Sequence, residues 1–258
     1  MIKGMIWILP SLTVLILADM LVISVVYHRY LTHRSVDLNK WVARALTLYI
    51  QGMAFAPPFT WVASHVAHHA HTDTPLDPYS PRVHGFWQVL FLTPLLVTRW
   101  RRRYGATITA RYTRRVPDRR FYAACNRGWW CLSISSGFAL GFFLLFGWPG
   151  LLVYVFQFYG FYVVKGWINS VGHTFGERPY RNSGANRRGV ISSLLNLWMA
   201  GEWLHNHHHH SPGSANFGLF GETDTGYLVC RGLAFFRLAT IRNAGTAVQA
   251  ASAGRHSD

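Results

Sequence analysis

The sequence has little charge for its length and very little acid. Of its 258 residues only 14% are charged, whereas 50% are hydrophobic and 16% are aromatic. This balance argues against an ordinary soluble domain, in which about a quarter of the residues are charged. The apolar residues also occur in long runs, which is typical of a protein embedded in a membrane. The simplest organisation is one membrane domain over residues 1–240 and a flexible tail over residues 241–258.

Cysteine is scarce as well. Cys125, Cys131 and Cys230 are the three cysteines of the chain, and none of them forms a CxxC pair. Neither a disulfide framework nor a thiolate metal site is indicated, so these residues are interpreted as ordinary apolar side chains. The sequence also lacks the HExxH motif of many zinc hydrolases.

Basic residues outnumber acidic ones by 25 to 10, and the formal net charge is +15. Nine arginines lie between Arg99 and Arg120, with Asp118 as the single acid among them. A nucleic-acid surface would be the first explanation in a soluble protein. In a chain with apolar spans, the enrichment of positive charge in cytoplasmic segments explains the arginines better, and no nucleic-acid partner is expected.

Three apolar runs are long enough to cross a bilayer, since each gives roughly 30 Å at the rise of an α-helix. They cover about residues 6–27, 129–147 and 150–169. The last two are joined by the sequence GWPG at 147–150, which predicts a helical hairpin. Further apolar or aromatic segments, predicted to lie in the plane of the membrane interface, cover about residues 41–59, 86–100 and 226–238.

Basic residues also set the orientation of the first run. Lys3 precedes it, whereas Arg29, Arg34, Lys40 and Arg44 follow it. The far end of this run is therefore expected on the cytoplasmic side, and the N-terminus outside.

Histidine is the most informative residue type in the chain. Nine of the 14 histidines fall into clusters, and the pattern HxxHH occurs twice at distant places. On an α-helix this pattern directs three imidazoles toward one point, which is the spacing of metal ligands. The clustered residues are His28, His33, His65, His68, His69, His173, His205, His208 and His209.

Nine imidazoles exceed the coordination of one first-row ion, so two metals sharing them is the economical solution, and the all-nitrogen set suits iron, zinc or copper. His28 and His33 are five residues apart and can meet only if the helix ends or distorts between them, or if they flank two metals. His33 and His65 must also reach one site. The apolar run at 41–59 between them is therefore interpreted as in-plane or re-entrant, with every cluster on the cytoplasmic side.

Four segments carry a resemblance to a known family. HRYLTH at 28–33, HVAHH at 65–69, NSVGH at 169–173 and HNHHH at 205–209 resemble the histidine boxes of membrane fatty acid desaturases of the stearoyl-CoA desaturase type and their bacterial relatives. TDTPLDPYSP at 72–81, HTFGERPY at 173–180 and GEWLHN at 201–206 support the resemblance, which covers about residues 10–240. It implies an all-α integral membrane protein with three transmembrane helices, interfacial amphipathic helices and a cytoplasmic histidine-rich cap for two metals.

The resemblance also implies an activity. Members of this family use two irons, dioxygen and two externally supplied electrons to turn adjacent methylenes of an acyl chain into a double bond. By this resemblance the nine clustered histidines are ligands and Asn169 holds a metal-bound water. Zinc can displace iron from such sites in overexpressed protein. Tyr79 departs from the family pattern, because relatives usually have histidine there.

The expected partners follow from the same resemblance. They are an acyl-CoA, acyl-carrier or acyl-lipid substrate, the lipid bilayer and a separate electron donor of the ferredoxin, rubredoxin or cytochrome type. A separate donor is needed because the sequence contains no flavin, iron–sulfur or cytochrome-like motif.

Three residues outside the clusters are candidates for a substrate tunnel. Asp19 and Lys165 are charged residues inside predicted spans, where charge is rare and often functional. They lie nine and eight residues before His28 and His173, so similar depths are predicted, and the two residues are expected either to form an ion pair or to have separate roles. Trp61, four residues before His65, is predicted either to line the tunnel or simply to pack.

Other functions are compatible with part of the pattern. The same oxidant could hydroxylate, acetylenate or decarboxylate an acyl chain, and residue spacing does not separate these outcomes. A membrane zinc hydrolase is the alternative from another class. It is disfavoured because no carboxylate is expected to accompany the histidines as a general base.

Overall fold

The computed structural model describes residues 7–181, 190–218 and 222–245, and within them the chain is largely helical. The first helix, α1, is an α-helix over Ile8–Val22 that continues as a π-helix over Ile23–Thr32. The remaining elements in chain order are β1 Val36–Leu38, α2 Lys40–Ala54, α3 Pro58–Ala70, α4 Pro81–His84, α5 Phe86–Tyr112, α6 Arg119–Cys125, α7 Gly128–Thr174, α8 Val190–Trp198, α9 His205–His210, α10 Thr225–Phe235 and β2 Ala239–Ile241.

The π-helical end of α1 brings two distant positions onto one face. The backbone N–H of His33 donates to the carbonyl of His28 at 3.0 Å, and the Thr32 hydroxyl donates to the carbonyl of Tyr27 at 2.7 Å. A bond between residues five apart stacks them one turn above each other, which an α-helix does not do. This is the distortion that the spacing of His28 and His33 required.

Helix α7 is a hairpin, although its 47 residues form one continuous element. Gly147 adopts φ 64° and ψ −152°, and a Cβ on Gly150 would lie 2.4 Å from the carbonyl oxygen of Phe142. The Tyr154 hydroxyl donates to the carbonyl of Ser135 at 3.1 Å, whereas a straight helix would separate these residues by roughly 28 Å. The chain therefore reverses at the GWPG sequence, with a first arm before Gly147 and a second arm after it.

In the described part of the chain, two helices are long and apolar enough to cross a membrane, Ile8–Thr32 and Gly128–Thr174. Only 33% and 11% of their most apolar windows are buried inside the protein. Leu144, Leu145 and Phe146 are among the exposed side chains, each more than 60% accessible. Such continuous apolar surface is suited to contact with lipid. The predicted spans at 6–27, 129–147 and 150–169 lie in α1 and in the two arms of α7, apart from residue 6, which is outside the described residues.

The segment predicted as one in-plane or re-entrant element, 41–59, is divided into two helices. Helix α2 begins after Asn39, whose side chain accepts from the backbone N–H of Trp41 at 2.9 Å. It ends where Phe55 adopts a left-handed conformation with φ 44°, and α3 starts at Pro58. The end of α2 packs on both arms of α7, because Ser135 donates to the carbonyl of Gln51 and Tyr154 donates to that of Gly52, each at 2.8 Å.

The other two segments predicted as interfacial are also helical. Residues 86–100 form the first part of the longer helix α5, which bends at Leu92 because Pro94 cannot donate to the helical ladder. Residues 226–238 overlap α10, whose first turn is capped by Asp224 accepting from the backbone N–H of Tyr227 at 2.9 Å. The three cysteines are buried and free, as expected of apolar side chains.

The structure contains a small sheet that an all-α fold does not include. Strands β1 and β2 pair antiparallel with Val36 opposite Ile241. The chain then stays attached, since the carbonyl of Asn243 accepts from the backbone N–H of Ala215 at 2.7 Å. Residues 241–245, predicted as the start of a flexible tail, thus belong to the described structure, and residues 246–258 lie outside the described part. Three-residue strands are too short to give a period-two pattern, so the sequence could not reveal them.

A close approach between α5 and the second arm of α7 yields a prediction. A Cβ on Gly166 would lie 2.2 Å from the carbonyl oxygen of Leu90 and 2.6 Å from that of Val89. We expect Gly166→Ala to destabilise the protein by about 1–3 kcal/mol, because backbone atoms would have to separate. Thermal unfolding in detergent should show a Tm lower by roughly 2–10 °C.

Gly141→Ala is the matched control in the first arm. A Cβ there meets nothing within 4 Å, and alanine favours a helix. Its Tm should equal or exceed that of the wild type. Equal Tm values for the two variants would contradict the close packing of α5 against α7.

Candidate metal centre

The side chains of the nine clustered histidines come together in two groups. In each group the ligand atoms lie within 4.8 Å of one another. The first group has five members, His28, His33, His65, His69 and His208, and the second has four, His68, His173, His205 and His209. Each histidine that the sequence predicted as a ligand belongs to one of the groups, and among the described residues neither group includes a cysteine, an aspartate or a glutamate.

Four elements supply these rings, and the two HxxHH patterns are shared between the groups. On α3, His65 and His69 point to the first group and His68 to the second. We expected three imidazoles aimed at one point, and this expectation was wrong. At about 100° per residue, the side chains at i and i+4 lie 40° apart, whereas the one at i+3 lies on the other side of them. The pattern in α9 is divided in the opposite sense, with His208 alone in the first group.

The ring nitrogens approach closely enough to share an ion. The Nε2 of His28 lies 2.8 Å from that of His208 and 2.9 Å from that of His65. In the second group, Nε2 of His173 lies 2.8 Å from Nε2 of His205. Two nitrogens bound at about 2.1 Å to one metal and at right angles would be roughly 3 Å apart. Neutral imidazoles have one N–H each, so hydrogen bonds among the rings alone could not satisfy such a group.

Carboxylates hold the opposite ring nitrogens of two histidines. The Nδ1 of His28 lies 2.6 Å from one oxygen of Glu202 and 2.8 Å from the other. The Nδ1 of His68 lies 2.9 Å from Asp77. An N–H donated at Nδ1 leaves the lone pair on Nε2 facing the group, which is the tautomer that a metal requires. The residues present therefore fit two metal ions.

Carboxylates accompany the histidines in a position that sequence reasoning did not assign to them, beside the outer ring nitrogens. Glu202 and Asp77 contact ring nitrogens directly, and Asp73 lies 3.8 Å from Nδ1 of His173. These oxygens face the outer side of the rings, so they orient ligands and are not placed as a general base inside the groups. Their position in GEWLHN and TDTPLDPYSP, beside the histidine boxes of an acid-poor chain, was the signal that could have found them.

The surroundings of the site shift the pKa values of Glu202, Asp77 and His65 below their usual values. Burial alone would raise the pKa of Glu202, but His28 and Arg29 hold it below its usual value. Burial likewise opposes ionisation of Asp77, and His68 nevertheless lowers its pKa. Burial and neighbouring rings lower the pKa of His65 well below its usual value. Neutral imidazole is the form that binds a metal.

Arg29, inside the first histidine box, is a fully buried cation that sequence reasoning did not select. Its guanidinium donates to Asp224 at 2.7 Å and lies 3.6 Å from Glu202. It also donates to the carbonyl of Ala215 at 2.8 Å. Asp224 accepts in turn from the backbone N–H of Phe217 at 2.7 Å. This buried network ties α1 to the segments around α9 and α10.

Asn169 and Trp61 lie next to the histidines. Asn169 is buried one turn before His173, and its side chain donates to the carbonyl of Lys165 at 2.9 Å. The indole of Trp61 stacks on His65 with ring centroids 4.9 Å apart. It also contacts the edge of His28 at 5.9 Å.

The predicted ion pair between Asp19 and Lys165 is not formed. Asp19 accepts a hydrogen bond from Gln157, two helical turns before Lys165 on the second arm. Lys165 donates to the Tyr79 hydroxyl at 3.2 Å. The prediction assumed equal rise in both helices, and the π-helical end of α1 breaks that assumption.

A cavity of about 140 Å³ lies beside the first group. It is bordered by α3, α5 and the second arm of α7, and its lining includes Trp61, Tyr79, Phe161 and Lys165. Two of the three predicted tunnel residues, Trp61 and Lys165, thus face a common space. Asp19 is not part of its lining.

The fold and the site together define a helical protein with apolar helices and a histidine cluster suited to two metals. A family model described as fatty acid desaturase matches residues 5–241. The chain belongs to the fatty acid desaturase family.

Curated relatives agree with this assignment. An sn-2 palmitoyl-lipid 9-desaturase of Nostoc sp. (strain 36) is 34% identical over 75% of this chain and 66% of its own length. An sn-1 stearoyl-lipid 9-desaturase of Synechocystis sp. is 30% identical over 84% of this chain and 65% of its own length. Delta-9 acyl-lipid desaturase 1 of Arabidopsis thaliana is 32% identical over 84% of this chain and 69% of its own length. The chain spans about two thirds of the length of these relatives.

The contact between Glu202 and His28 generates a second prediction. We expect Glu202→Gln to weaken metal binding by about 10- to 100-fold, because the neutral amide no longer fixes the His28 tautomer or balances Arg29. Iron retained after dialysis against graded concentrations of chelator measures the loss.

Asp37→Asn is the control for removing one negative charge. Asp37 forms ion pairs with Arg34 and Arg242 outside the histidine groups. This variant should retain iron like the wild type. Wild-type retention by Glu202→Gln would show that the carboxylate does not orient the ligand.

Proposed function

We propose that this protein is an oxygen-dependent di-iron fatty acyl desaturase. The observation that carries the proposal is the convergence of nine imidazoles into groups of five and four, with carboxylates on their outer nitrogens. Family membership supports it, and the named relatives act on acyl chains of lipids. An acyl-lipid is therefore the first substrate to test, with acyl-CoA and acyl-carrier substrates as the alternatives.

The five-histidine group would hold one iron and the four-histidine group the other. When bound, two irons with dioxygen, two electrons and two protons would supply an oxidant that removes two hydrogens from adjacent methylenes, giving a carbon–carbon double bond and two waters. Asn169, one turn before His173, is proposed to hold a water at this centre. The electrons would come from a separate ferredoxin, rubredoxin or cytochrome.

Side chains of this protein would position the histidine rings and the acyl chain. Glu202 and Asp77 orient His28 and His68 through their Nδ1 atoms. The Trp61 indole forms a wall between the first histidine group and the cavity, so an acyl chain lying in that cavity would pass beside the ligands. The low exposure of His28 and His68, at 1% and 0%, limits access of bulk water to the centre.

The proposed membrane topology has three crossings, by α1 and by the two arms of α7. His33 and His65 belong to one group, so the segment between them must begin and end on the same side of the membrane. This favours a segment that does not cross the bilayer. The arginines of α5 and the segment after it are largely exposed and fit a cytoplasmic face, which places the site on that side. The N-terminus would then lie outside.

Product analysis tests the activity. We expect cells with known saturated lipids to gain a monounsaturated acyl chain when they express the protein, seen by gas chromatography and mass spectrometry. His69→Ala should lower this product at least about 100-fold, because the ring is a proposed ligand. His71→Ala should not, since His71 bonds the Tyr112 hydroxyl outside both groups. Added oxygen in the product would favour a hydroxylase instead.

Metal analysis tests the centre independently. Protein produced with iron supplied should contain about two irons per chain and show no haem absorption, whereas His69→Ala should contain less. Zinc can occupy such sites after overexpression, so iron supplementation is part of the design. One metal per chain under iron-replete conditions would contradict the two-iron centre.

A further inference from the structure

Lys165 presents an amine to the cavity beside the histidines. Its Nζ lies 5.1 Å from the ring centre of Trp61 and 4.8 Å from that of Tyr79, and it donates to the Tyr79 hydroxyl at 3.2 Å. The side chain is half-buried, and it is part of the cavity lining. Cations are expensive in an apolar helix and commonly face a functional cavity.

The nearby acids do not neutralise Lys165. Glu202 is bound by His28 and Arg29, and Asp77 is bound by His68. Among the described residues, the side chain of Lys165 forms no ion pair, and its one hydrogen bond is donated to the Tyr79 hydroxyl. An ammonium has three N–H donors, so donor capacity remains for a group inside the cavity.

The position of this donor relative to the histidines is informative. The indole ring of Trp61 contacts both Lys165 and the first group, since its centre lies 5.1 Å from the Lys165 amine and 4.9 Å from the ring centre of His65. A chain lying along Trp61 would therefore have its reacting carbons within a few bonds of whatever atom contacts Lys165. A purely hydrocarbon segment offers that amine no acceptor.

We propose that Lys165 is a specificity-determining residue that binds an oxygen acceptor of the acyl substrate, located a few bonds from the carbons that react. The proposal rests on the proposed function and names its substrate class. The acceptor is either a hydroxyl on the chain or the acyl carbonyl itself. The Ser64 hydroxyl and Tyr79, which are 2.7 Å apart in the same cavity wall, add further polar groups.

The first arm of the test measures binding to the full chain, purified in detergent with iron. Quenching of tryptophan fluorescence reports the binding of stearate and of a panel of hydroxystearates with the hydroxyl at successive carbons. We expect at least one hydroxystearate to bind the wild type about tenfold more tightly than stearate, because the site is built to donate. Lys165→Met should abolish this preference, and Lys165→Arg, which keeps a donor, should retain part of it.

The second arm maps the double bond in the product and identifies a carbonyl acceptor. If the carbonyl is the partner, no hydroxystearate is preferred, and the wild type places the double bond a few carbons from the carbonyl. Lys165→Met should then shift or scatter that position. Iron content checks that each variant is folded, and Lys165→Leu replaces Lys165→Met if the latter loses its iron.

The outcomes separate the two proposals. The role of Lys165 would be overturned if Lys165→Met kept the binding preferences of the wild type and its product either had the double bond at the wild-type position or was absent in both proteins. A different result is that the wild type forms no double bond on any substrate and yet prefers a hydroxystearate, with Lys165→Met lacking that preference. This result would overturn the desaturase function and support the binding site.

Discussion

The contact between Glu202 and His28 joins residues 174 positions apart and stabilises the whole centre. The carboxylate holds one histidine of the first group and lies beside Arg29, which donates to Asp224 and to the carbonyl of Ala215. Each of these groups is buried, where an unpaired charge would cost several kcal/mol. The segments on both sides of the last histidine box are thus held to α1 by buried ion pairs of Arg29 with Glu202 and Asp224.

Bringing imidazoles from four segments to two points also explains the irregular parts of the helices. The π-helix places His33 one turn from His28, and the break at Phe55 lets α3 bring His65 to within 3.1 Å of His33. Distortions of this kind are unfavourable by themselves and commonly occur at functional sites. Here the geometry of the nitrogen groups accounts for them.

Polar groups below the histidines fall into two kinds. Asp19 accepts a hydrogen bond from Gln157 and does not line the cavity beside the histidines. Lys165 lines a cavity and retains donor capacity there, which separates it from Asp19 although both looked alike as charges in apolar runs. The two residues differ in the side chains that surround them, Gln157 for Asp19 and Tyr79 for Lys165. Their predicted depth in the membrane does not distinguish them.

The nine clustered histidines, the hairpin at GWPG and the apolar runs could be predicted from the sequence, because each is a local pattern of period, composition or turn chemistry. The folded structure was needed to show how HxxHH is divided between two groups, which acids hold the outer nitrogens, and which residues Asp19 and Lys165 contact. It also added the pairing of β1 with β2, whose residues are about 200 positions apart. These features depend on contacts between distant segments, and a pattern read along one segment contains no record of its partner.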